Sequence, residues 1–257
     1  MAKKINGLMT KEMRIYGENA CVAVFNQRPA DIIQFFLTKE MLKKFGNITK
    51  YCAQNKKAYH IVVSEELEKM TKATHHEGMC MLVKKHSQRP LEAYLSLKPE
   101  SGLIIALENV ANPHNIGAIM RNAAHFGATG ILVSDLKIAE SASAIRTSEG
   151  GSEFIEIFET KDFKKSLSML AKNKFQIIST SSHAKESLYD LKWEKKAVVI
   201  FGEEAMGLSR DLLNLGTAVK IPGTDHVESL NVSVASAVIL SDYFQKVKMN
   251  EINPRFK

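Results

Sequence analysis

The chain has 257 residues, of which 45% are hydrophobic, so it can bury the core of one large domain or of two smaller ones. No stretch approaches the ~18 uncharged apolar residues of a membrane-spanning helix, and residues 1–13 carry charges without the apolar run of a secretory signal. Cys21, Cys52 and Cys80 lie far apart and lack metal-ligand spacing. We therefore expect buried, reduced thiols in a cytoplasmic protein, with neither a metal site nor a membrane segment.

The net charge is confined to the first part of the chain. Residues 1–100 hold 17 Lys+Arg against 10 Asp+Glu, a net of +7, whereas residues 101–257 hold 18 of each, a net of zero. A basic excess confined to one segment favours contact with a polyanion, most often a nucleic acid. A solvated lysine-rich surface explains the charge equally well.

Residues 13–83 alternate short helical and strand-like runs, which is typical of a small α/β unit. The next stretch is polar, contains Pro90 and Pro99, and has no clear period. We expect a basic domain over residues 1–90, a linker over 91–101 and a second domain over 102–257.

Apolar strands and helices alternate again from residue 102 onward. Continuous apolar strands separated by helices predict a parallel sheet covered on both faces, and ligands bind such sheets beside the carboxyl ends of the strands. The predicted strands are "LIIALE", "GILVS", "FQIIST", "AVVIFG" and "AVKIP", and the predicted helices cover 115–127, 140–148, 161–173, 208–214 and 231–248.

The loop after the first of these strands leads into "NPHNIGAIMRNAAHFGA". Asn115 is a plausible N-cap of the helix. Gly117 and Arg121 lie four residues apart on one helix face, with a bare surface beneath the guanidinium. This arrangement directs Arg121 toward a ligand at the strand ends, although a surface arginine beside a close helix–strand contact has the same pattern.

The loop after "AVVIFG" reads "GEEAMGLS" over 202–209, where Gly202 and Gly207 flank Glu203 and Glu204. Gly202 can present bare backbone to a ligand while one carboxylate turns inward. The spacing is not that of a dinucleotide-binding loop, and two carboxylates would repel a pyrophosphate. Acidic residues at a helix N-terminus explain Glu203 but not the two glycines.

The stretch "IPGTDHVESLNVSVASAVIL" at 221–240 follows the last predicted strand. Pro222 and Gly223 end that strand, and Ser229 or Asn231 can cap the helix behind the loop. The helix begins with small and β-branched residues of low helix propensity, so we expect it to be packed on nearly all sides. Its small residues permit close approach of backbone, of a ligand or of a second subunit.

In order and spacing, these three stretches resemble the signature motifs of the SpoU (TrmH-type) RNA 2′-O-ribose methyltransferases. The resemblance covers residues 101–248. More faintly, residues 13–83 resemble the small L30e-like substrate-binding domain of many members, with "HHEGM" at the usual His-Gln-Gly turn. The resemblance implies an α/β fold whose parallel sheet contains a deep trefoil knot, S-adenosylmethionine as the methyl donor, rRNA or tRNA as the substrate, and a homodimer.

The resemblance also implies roles for individual residues. The residues implied to bind S-adenosylmethionine, largely through backbone, are Thr180, Gly202, Ile221, Ser229 and Leu230. The implied catalytic residues are Arg121, the residues that hold it (Asn115 and Glu204), and two that line the methyl-transfer site (Ser229 and Asn231). Because a guanidinium is a poor base, we expect Arg121 to stabilise the developing alkoxide and to orient a phosphate.

Four positions depart from the pattern of the family. Asn112 stands where aspartate is usual, Gly223 where methionine is usual, Asp225 where many relatives have glycine, and Glu149 where a small residue is common. The added carboxylates can alter cofactor affinity or substrate choice. They leave the implied catalytic set intact.

Two other functions fit parts of the pattern. A relative that binds RNA without methylating it has the same charge asymmetry, but it needs none of the five implied catalytic residues. A nucleotide-binding oxidoreductase with a small second domain is disfavoured by the glycine spacing. The resemblance of the three motifs therefore favours an RNA 2′-O-ribose methyltransferase.

Overall fold

The structure is a computed structural model that describes residues 12–203, 206–224 and 226–249. The chain divides into two compact units, with the boundary between Ser87 and Gln88. No helix among the described residues is long and apolar enough to cross a membrane.

The first unit holds a four-stranded sheet in the order β1-β4-β2-β3, in which β4 runs antiparallel to β1 and β2, and β3 runs parallel to β2. Its elements are β1 (Glu12–Tyr16), α1 (Glu18–Gln27), β2 (Ile32–Leu37), α2 (Lys39–Lys44), α3 (Gly46–Gln54), β3 (Ala58–Ile61), α4 (Ser64–Thr71) and β4 (Met79–Lys84). The predicted alternation of helices and strands is confirmed, and β1 is an additional strand.

The three cysteines lie in the core of this unit, as the sequence predicts, and none of them forms a disulfide bond with another described residue. Burial raises the pKa of the Cys80 thiol to about 11.

Two hydrogen bonds hold the "HHEGM" turn in place. His76 is 4% exposed, and its Nδ1 accepts a hydrogen bond from the Gly78 N–H at 3.0 Å. The Glu77 carboxylate accepts one from the Glu18 N–H at 2.8 Å, at the start of α1.

The second unit is built on a seven-stranded sheet in the order β7-β6-β5-β10-β8-β11-β9, and every neighbouring pair is parallel. Its strands are β5 (Gly102–Leu107), β6 (Gly130–Val133), β7 (Glu156–Glu159), β8 (Gln176–Thr180), β9 (Glu186–Ser187), β10 (Lys196–Phe201) and β11 (Thr217–Lys220). The predicted parallel sheet is confirmed.

Helices connect these strands. They are α5 (Leu91–Ser96), α6 (Pro113–His125), α7 (Leu136–Ala139), α8 (Ala142–Thr147), α9 (Phe163–Lys172), α10 (Arg210–Leu213) and α11 (Val232–Tyr243), which continues as a π-helical turn over Phe244–Lys248.

The sheet has an apolar core on each face. Along β5, Leu103 and Ile105 pack in one cluster with residues of α6, α8 and α11. Ile104 and Ala106 pack in the other cluster with residues of α5, α9 and α10. Successive side chains of a strand point to opposite faces, so the continuous apolar strands are explained by burial on both sides, as predicted.

Three local features differ from the sequence predictions. The segment 91–101, expected to be a linker, contains α5, whose Leu91, Tyr94 and Leu95 are buried in the second unit's core. The N-cap of α6 is Asn112 rather than Asn115, because the Asn112 side chain accepts the His114 N–H at 2.9 Å.

The third difference is the packing of α11, which is buried on one side rather than on nearly all sides. Val232, Ser236 and Ile239 are buried, whereas Val234 is 50% exposed. Small and β-branched residues therefore leave a half-exposed apolar face on this helix.

Candidate functional site

The three strand-end residues of the predicted cofactor set lie at one edge of the sheet, because β10, β8 and β11 are direct neighbours. The Thr180 hydroxyl, at the end of β8, donates to the Ile200 carbonyl of β10 at 2.8 Å, and Thr180 is paired with Val219 of β11. Gly202 lies two residues after Ile200 in the chain, and Ile221 lies two residues after Val219. Since neighbouring strands lie ~4.8 Å apart, Thr180, Gly202 and Ile221 stand at the carboxyl ends of three adjacent strands.

The loop after β10 folds back on Gly202. The Gly207 N–H donates to the Glu203 carbonyl at 2.8 Å, and Gly207 has a φ of +68°. A Cβ at Gly202 would collide with the backbone of Gly207 and Leu208. The bare backbone that the sequence suggested for a ligand is therefore needed for this internal approach.

Asn231 ties the last motif to the first. Its Oδ1 accepts from the Ser233 N–H at 2.9 Å, so Asn231, one of the two predicted candidates, caps α11. Its Nδ2 donates to the Oδ1 of Asn115 at 3.3 Å, and Asn115 is 9% exposed. Two predicted catalytic residues that are 116 positions apart in sequence are thus in direct contact.

Asn122 forms a second link between the same helices, which sequence reasoning missed. Its Nδ2 donates to the Ser233 carbonyl at 2.9 Å and to the Ser236 Oγ at 3.0 Å. Ser236 is fully buried, so the small residues of α11 admit α6 closely. The only sequence signal was the position of Asn122 beside Arg121.

Arg121 is exposed on α6. Its Cα packs against Gly151, and no hydrogen bond or ion pair joins its guanidinium to another described residue. Since a helix rises 1.5 Å per residue, Arg121 lies about 9 Å along the helix axis from Asn115. The helix therefore presents Arg121 to solvent, and the described contacts do not bring it to the other predicted catalytic side chains.

The loop before α11 holds the remaining predicted residues. Ser229 is exposed and Leu230 is 45% exposed. In the same loop, Glu228 approaches His183, from the loop after β8, with 3.5 Å between Oε1 and Nε2. The prediction for Glu204 lies outside the described residues, as does the departure at Asp225.

The other three departures from the family pattern lie within the described residues. Asn112 caps α6 with the oxygen that an aspartate would also offer. Glu149 has a φ of +51° and pairs with Arg146. A Cβ at Gly223 would meet no atom within 4 Å. Within the described residues, no group of three or more His, Cys, Asp or Glu side chains could hold a metal ion.

Together these features define a class of protein: an α/β protein with a parallel sheet whose strand-end loops, from distant parts of the chain, meet beside two hydrogen-bonded helices. Residues 102–241 match the family model described as the SpoU rRNA Methylase family. Residues 14–89 match the one described as RNA 2′-O ribose methyltransferase substrate binding. The chain therefore belongs to the SpoU methyltransferase family.

Two similar proteins carry related names. One from Escherichia coli O157:H7, named uncharacterized tRNA/rRNA methyltransferase YfiF, is 36% identical over 241 residues, which span 93% of this chain and 69% of that protein. One from Haemophilus influenzae, named uncharacterized tRNA/rRNA methyltransferase, is 34% identical over 249 residues, which span 94% of this chain and 69% of that protein.

Solved structures share the fold at lower identity. An AdoMet-bound rRNA methyltransferase from Sinorhizobium meliloti matches with a TM-score of 0.75 and 18% identity, over 93% of this chain and 88% of that one. The SpoU methyltransferase AviRb from Streptomyces viridochromogenes, in complex with AdoMet, matches with a TM-score of 0.75 and 17% identity, over 93% and 92%. The predicted α/β fold is thereby confirmed.

Proposed function

We propose that the protein is an S-adenosylmethionine-dependent RNA methyltransferase that methylates a ribose 2′-hydroxyl of rRNA or tRNA in the cytoplasm. The observation that carries this proposal is the contact between Asn115 and Asn231, together with the shared sheet edge at which Thr180 ends β8 and Gly202 and Ile221 directly follow β10 and β11. Family membership supports the reaction class, and the AdoMet bound in two structures of the same fold supports the cofactor.

The residues at the strand ends fit such a cofactor. Half-buried Ile221 packs against the core, and Leu230 is 45% exposed, so both offer apolar surface to an adenine ring. Thr180 and Gly202 would contribute backbone, and Ser229 would contribute its N–H or hydroxyl. When bound, S-adenosylmethionine supplies a methyl group activated by the sulfonium charge.

The chain must then handle the proton and the developing charge of the ribose hydroxyl. Arg121 is well suited to stabilise an alkoxide and to hold the adjacent phosphate, because its guanidinium remains charged and makes no described contact that would have to break. Asn115 and Asn231 fix the α6 and α11 ends on either side of the site. Glu204 would hold the Arg121 side chain, and Ser229 would line the methyl-transfer site beside the ribose hydroxyl.

Two further features of the fold belong to this proposal. We propose that the catalytic domain over 102–257 contains a deep trefoil knot, with the chain around the last motif threaded through a loop. We also propose a homodimer that covers the half-exposed face of α11. This face includes Val234, which is 50% exposed, and an uncovered apolar surface of this kind marks an association site.

The first domain, over residues 1–90, would hold the RNA. The excess of seven positive charges belongs to residues 1–100, which contain the substrate-binding match at 14–89. Phosphate contacts made by lysine and arginine weaken as salt rises, because binding releases counterions. Binding through this domain is therefore expected to depend steeply on salt.

One experiment tests the reaction and its substrate together. Mass spectrometry of the nucleosides in rRNA and tRNA, from cells with and without the gene, should reveal one 2′-O-methylated nucleoside that is lost with the gene. Calorimetry should also detect uptake of S-adenosylmethionine by the purified protein. If all modified nucleosides persist and no cofactor is taken up, the protein is instead the RNA-binding relative without catalysis.

A further inference from the structure

The seven-stranded sheet reverses its winding between β5 and β10. The chain leaves β5 through α6 toward β6 and β7 on one side, and leaves β10 through α10 toward β11 on the other. Open parallel sheets bind ligands outside the carboxyl ends of the strands at such a reversal. A cleft of about 360 Å³ lies here, which falls within the size range of small-ligand sites. None of the residues assigned to the cofactor lines this cleft.

The lining contains three polar side chains that make no hydrogen bond to another described residue. Asn109 follows β5, Ser134 follows β6, and Ser209 precedes α10. All three are exposed, and no hydrogen bond joins their side chains to another described residue. An amide and two hydroxyls can each donate and accept, so they match a ligand with hydroxyl groups.

Two lysines also line the cleft, beside the carboxylates of Glu108 and Asp211. Lys161 pairs with Glu159 at 3.1 Å and Lys164 with Asp211 at 2.9 Å, and the four side chains are 39% to 80% exposed. Exposed ion pairs contribute about 0–1 kcal/mol, so exchanging these carboxylates for a phosphate costs little. The cleft therefore suits a ligand that carries both phosphate and hydroxyl groups.

The cleft shares a wall with the loop after β10. The Glu108 N–H donates to the Phe201 carbonyl at 2.9 Å, directly before Gly202. The Glu108 carboxylate accepts the Ser209 N–H at 2.9 Å. Glu108 thus links the end of β10, which leads to Gly202 in the proposed cofactor site, to Ser209 in the cleft. A polymer bound in the cleft can continue into the methyl-transfer site.

We propose that this cleft binds a ribose–phosphate unit of the RNA that flanks the methylated nucleotide. Lys161 and Lys164 contact the phosphates, and Asn109, Ser134 and Ser209 contact ribose hydroxyls. The 2′-hydroxyl, both donor and acceptor, is the group by which a protein distinguishes RNA from DNA. This inference rests on the proposed function for the identity of the polymer.

The first test compares two double variants of the full chain. K161A/K164A removes both cleft lysines, and K172A/K192A removes two exposed lysines near the amino ends of β8 and β10 as a control of equal charge. A short single-stranded oligoribonucleotide is titrated in a salt series and followed by fluorescence anisotropy. The cleft variant should bind about tenfold more weakly, with a log–log salt slope shallower by about 1.4 for two lost contacts. The control should change affinity less than about twofold.

The second test leaves the charge unchanged. N109G/S134A should lower the preference for the oligoribonucleotide over the same sequence in DNA, because hydroxyl recognition is lost. Glycine is chosen at Asn109 because its φ is +57°. Equal weakening in the two lysine variants, or an unchanged RNA preference in N109G/S134A, would overturn the cleft assignment.

Calorimetry with S-adenosylmethionine on the same proteins separates this inference from the proposed function. If the wild-type chain takes up no cofactor while K161A/K164A still loses RNA affinity selectively, the methyltransferase proposal fails and the cleft assignment stands. If cofactor uptake and methylation are intact and K161A/K164A binds RNA like its control, only the cleft assignment fails.

Discussion

The carboxyl edge of the seven-stranded sheet has two differently built halves. In the half at β10, β8 and β11, called here the transfer half, polar groups bond to one another. The Thr180 hydroxyl bonds to β10, and Asn231 both caps α11 and contacts α6. In the half at β7, β6 and β5, called the cleft half, Asn109 makes no described side-chain hydrogen bond. Lys161 and Lys164 form exposed ion pairs, and the Lys161 Nζ also donates to the Ser134 carbonyl at 3.5 Å.

This difference corresponds to two physical requirements. A group-transfer step gains most from groups that are fixed before the reaction, because their orientation is then not lost in the transition state. A surface that holds a polyanion gains from charges that can exchange partners cheaply. We therefore expect substitutions in the transfer half to reduce turnover or stability, and those in the cleft half to reduce RNA affinity.

The largest effect is expected at Arg121. R121A should lower turnover by about 10²–10⁴-fold, because the charge that stabilises the alkoxide and phosphate is lost. Affinity for S-adenosylmethionine, measured by calorimetry, should stay within about twofold, since Arg121 is exposed and contacts none of the described strand ends. R121K keeps the positive charge but lacks the planar guanidinium, which can donate to two oxygens at once, so it should recover only part of the rate. Turnover of R121A at the wild-type level would show that the guanidinium has no catalytic role.

The next effect concerns the close approach at Gly202. A Cβ there meets the backbone of Gly207 and Leu208, so G202A should lower the free energy of unfolding by about 1–3 kcal/mol and weaken cofactor binding. G223A is the matched control, because nothing lies within 4 Å of its added Cβ. Chemical denaturation of both variants measures the difference. Equal stability in the two would mean that the backbone of Gly207 and Leu208 moves aside freely.

Part of this architecture could be predicted from sequence, for identifiable reasons. The strands of the parallel sheet are buried on both faces, so their apolar runs are continuous and distinctive. β7 was missed because it is four residues long and has a glutamate at each end, with only Ile157 and Phe158 buried. α5 was missed because its six residues lie between two prolines and are too short to show a helical period.

The candidate site was less predictable, because its contacts join distant residues. Asn112 could have been recognised as the cap, since Pro113 favours the first helical position directly behind it. By contrast, no local sequence pattern predicts the hydrogen bond between Asn122 and Ser236, which lie 114 residues apart. Motif resemblance supplied candidate residues, and only the fold shows which of them are in contact.

The link between α6 and α11 allows a finer test of the transfer half. N122A removes two hydrogen bonds to α11, of which one is to the buried Ser236 hydroxyl. Ser236 retains its bond to the Ser233 carbonyl, so the loss of stability should be limited to about 1–2 kcal/mol. Turnover should fall more than RNA affinity, because the helix that carries Arg121 loses its fixed position. A parallel fall in RNA affinity would argue against a role confined to positioning.

The smallest effect is expected at the boundary between the halves. Glu108 accepts the Ser209 N–H at 2.9 Å, so E108A should release the start of α10 at a cost of about 0.5–1.5 kcal/mol. Because Ser209 lines the cleft, affinity for the oligoribonucleotide should fall about two- to threefold, while calorimetry should find cofactor affinity unchanged. E108Q retains an acceptor and should behave as wild type, and E92A, on exposed α5 surface, controls for lost negative charge. If E108A lowered cofactor affinity as much as RNA affinity, the two halves would act as one site, because the segment between them would transmit any disturbance to both.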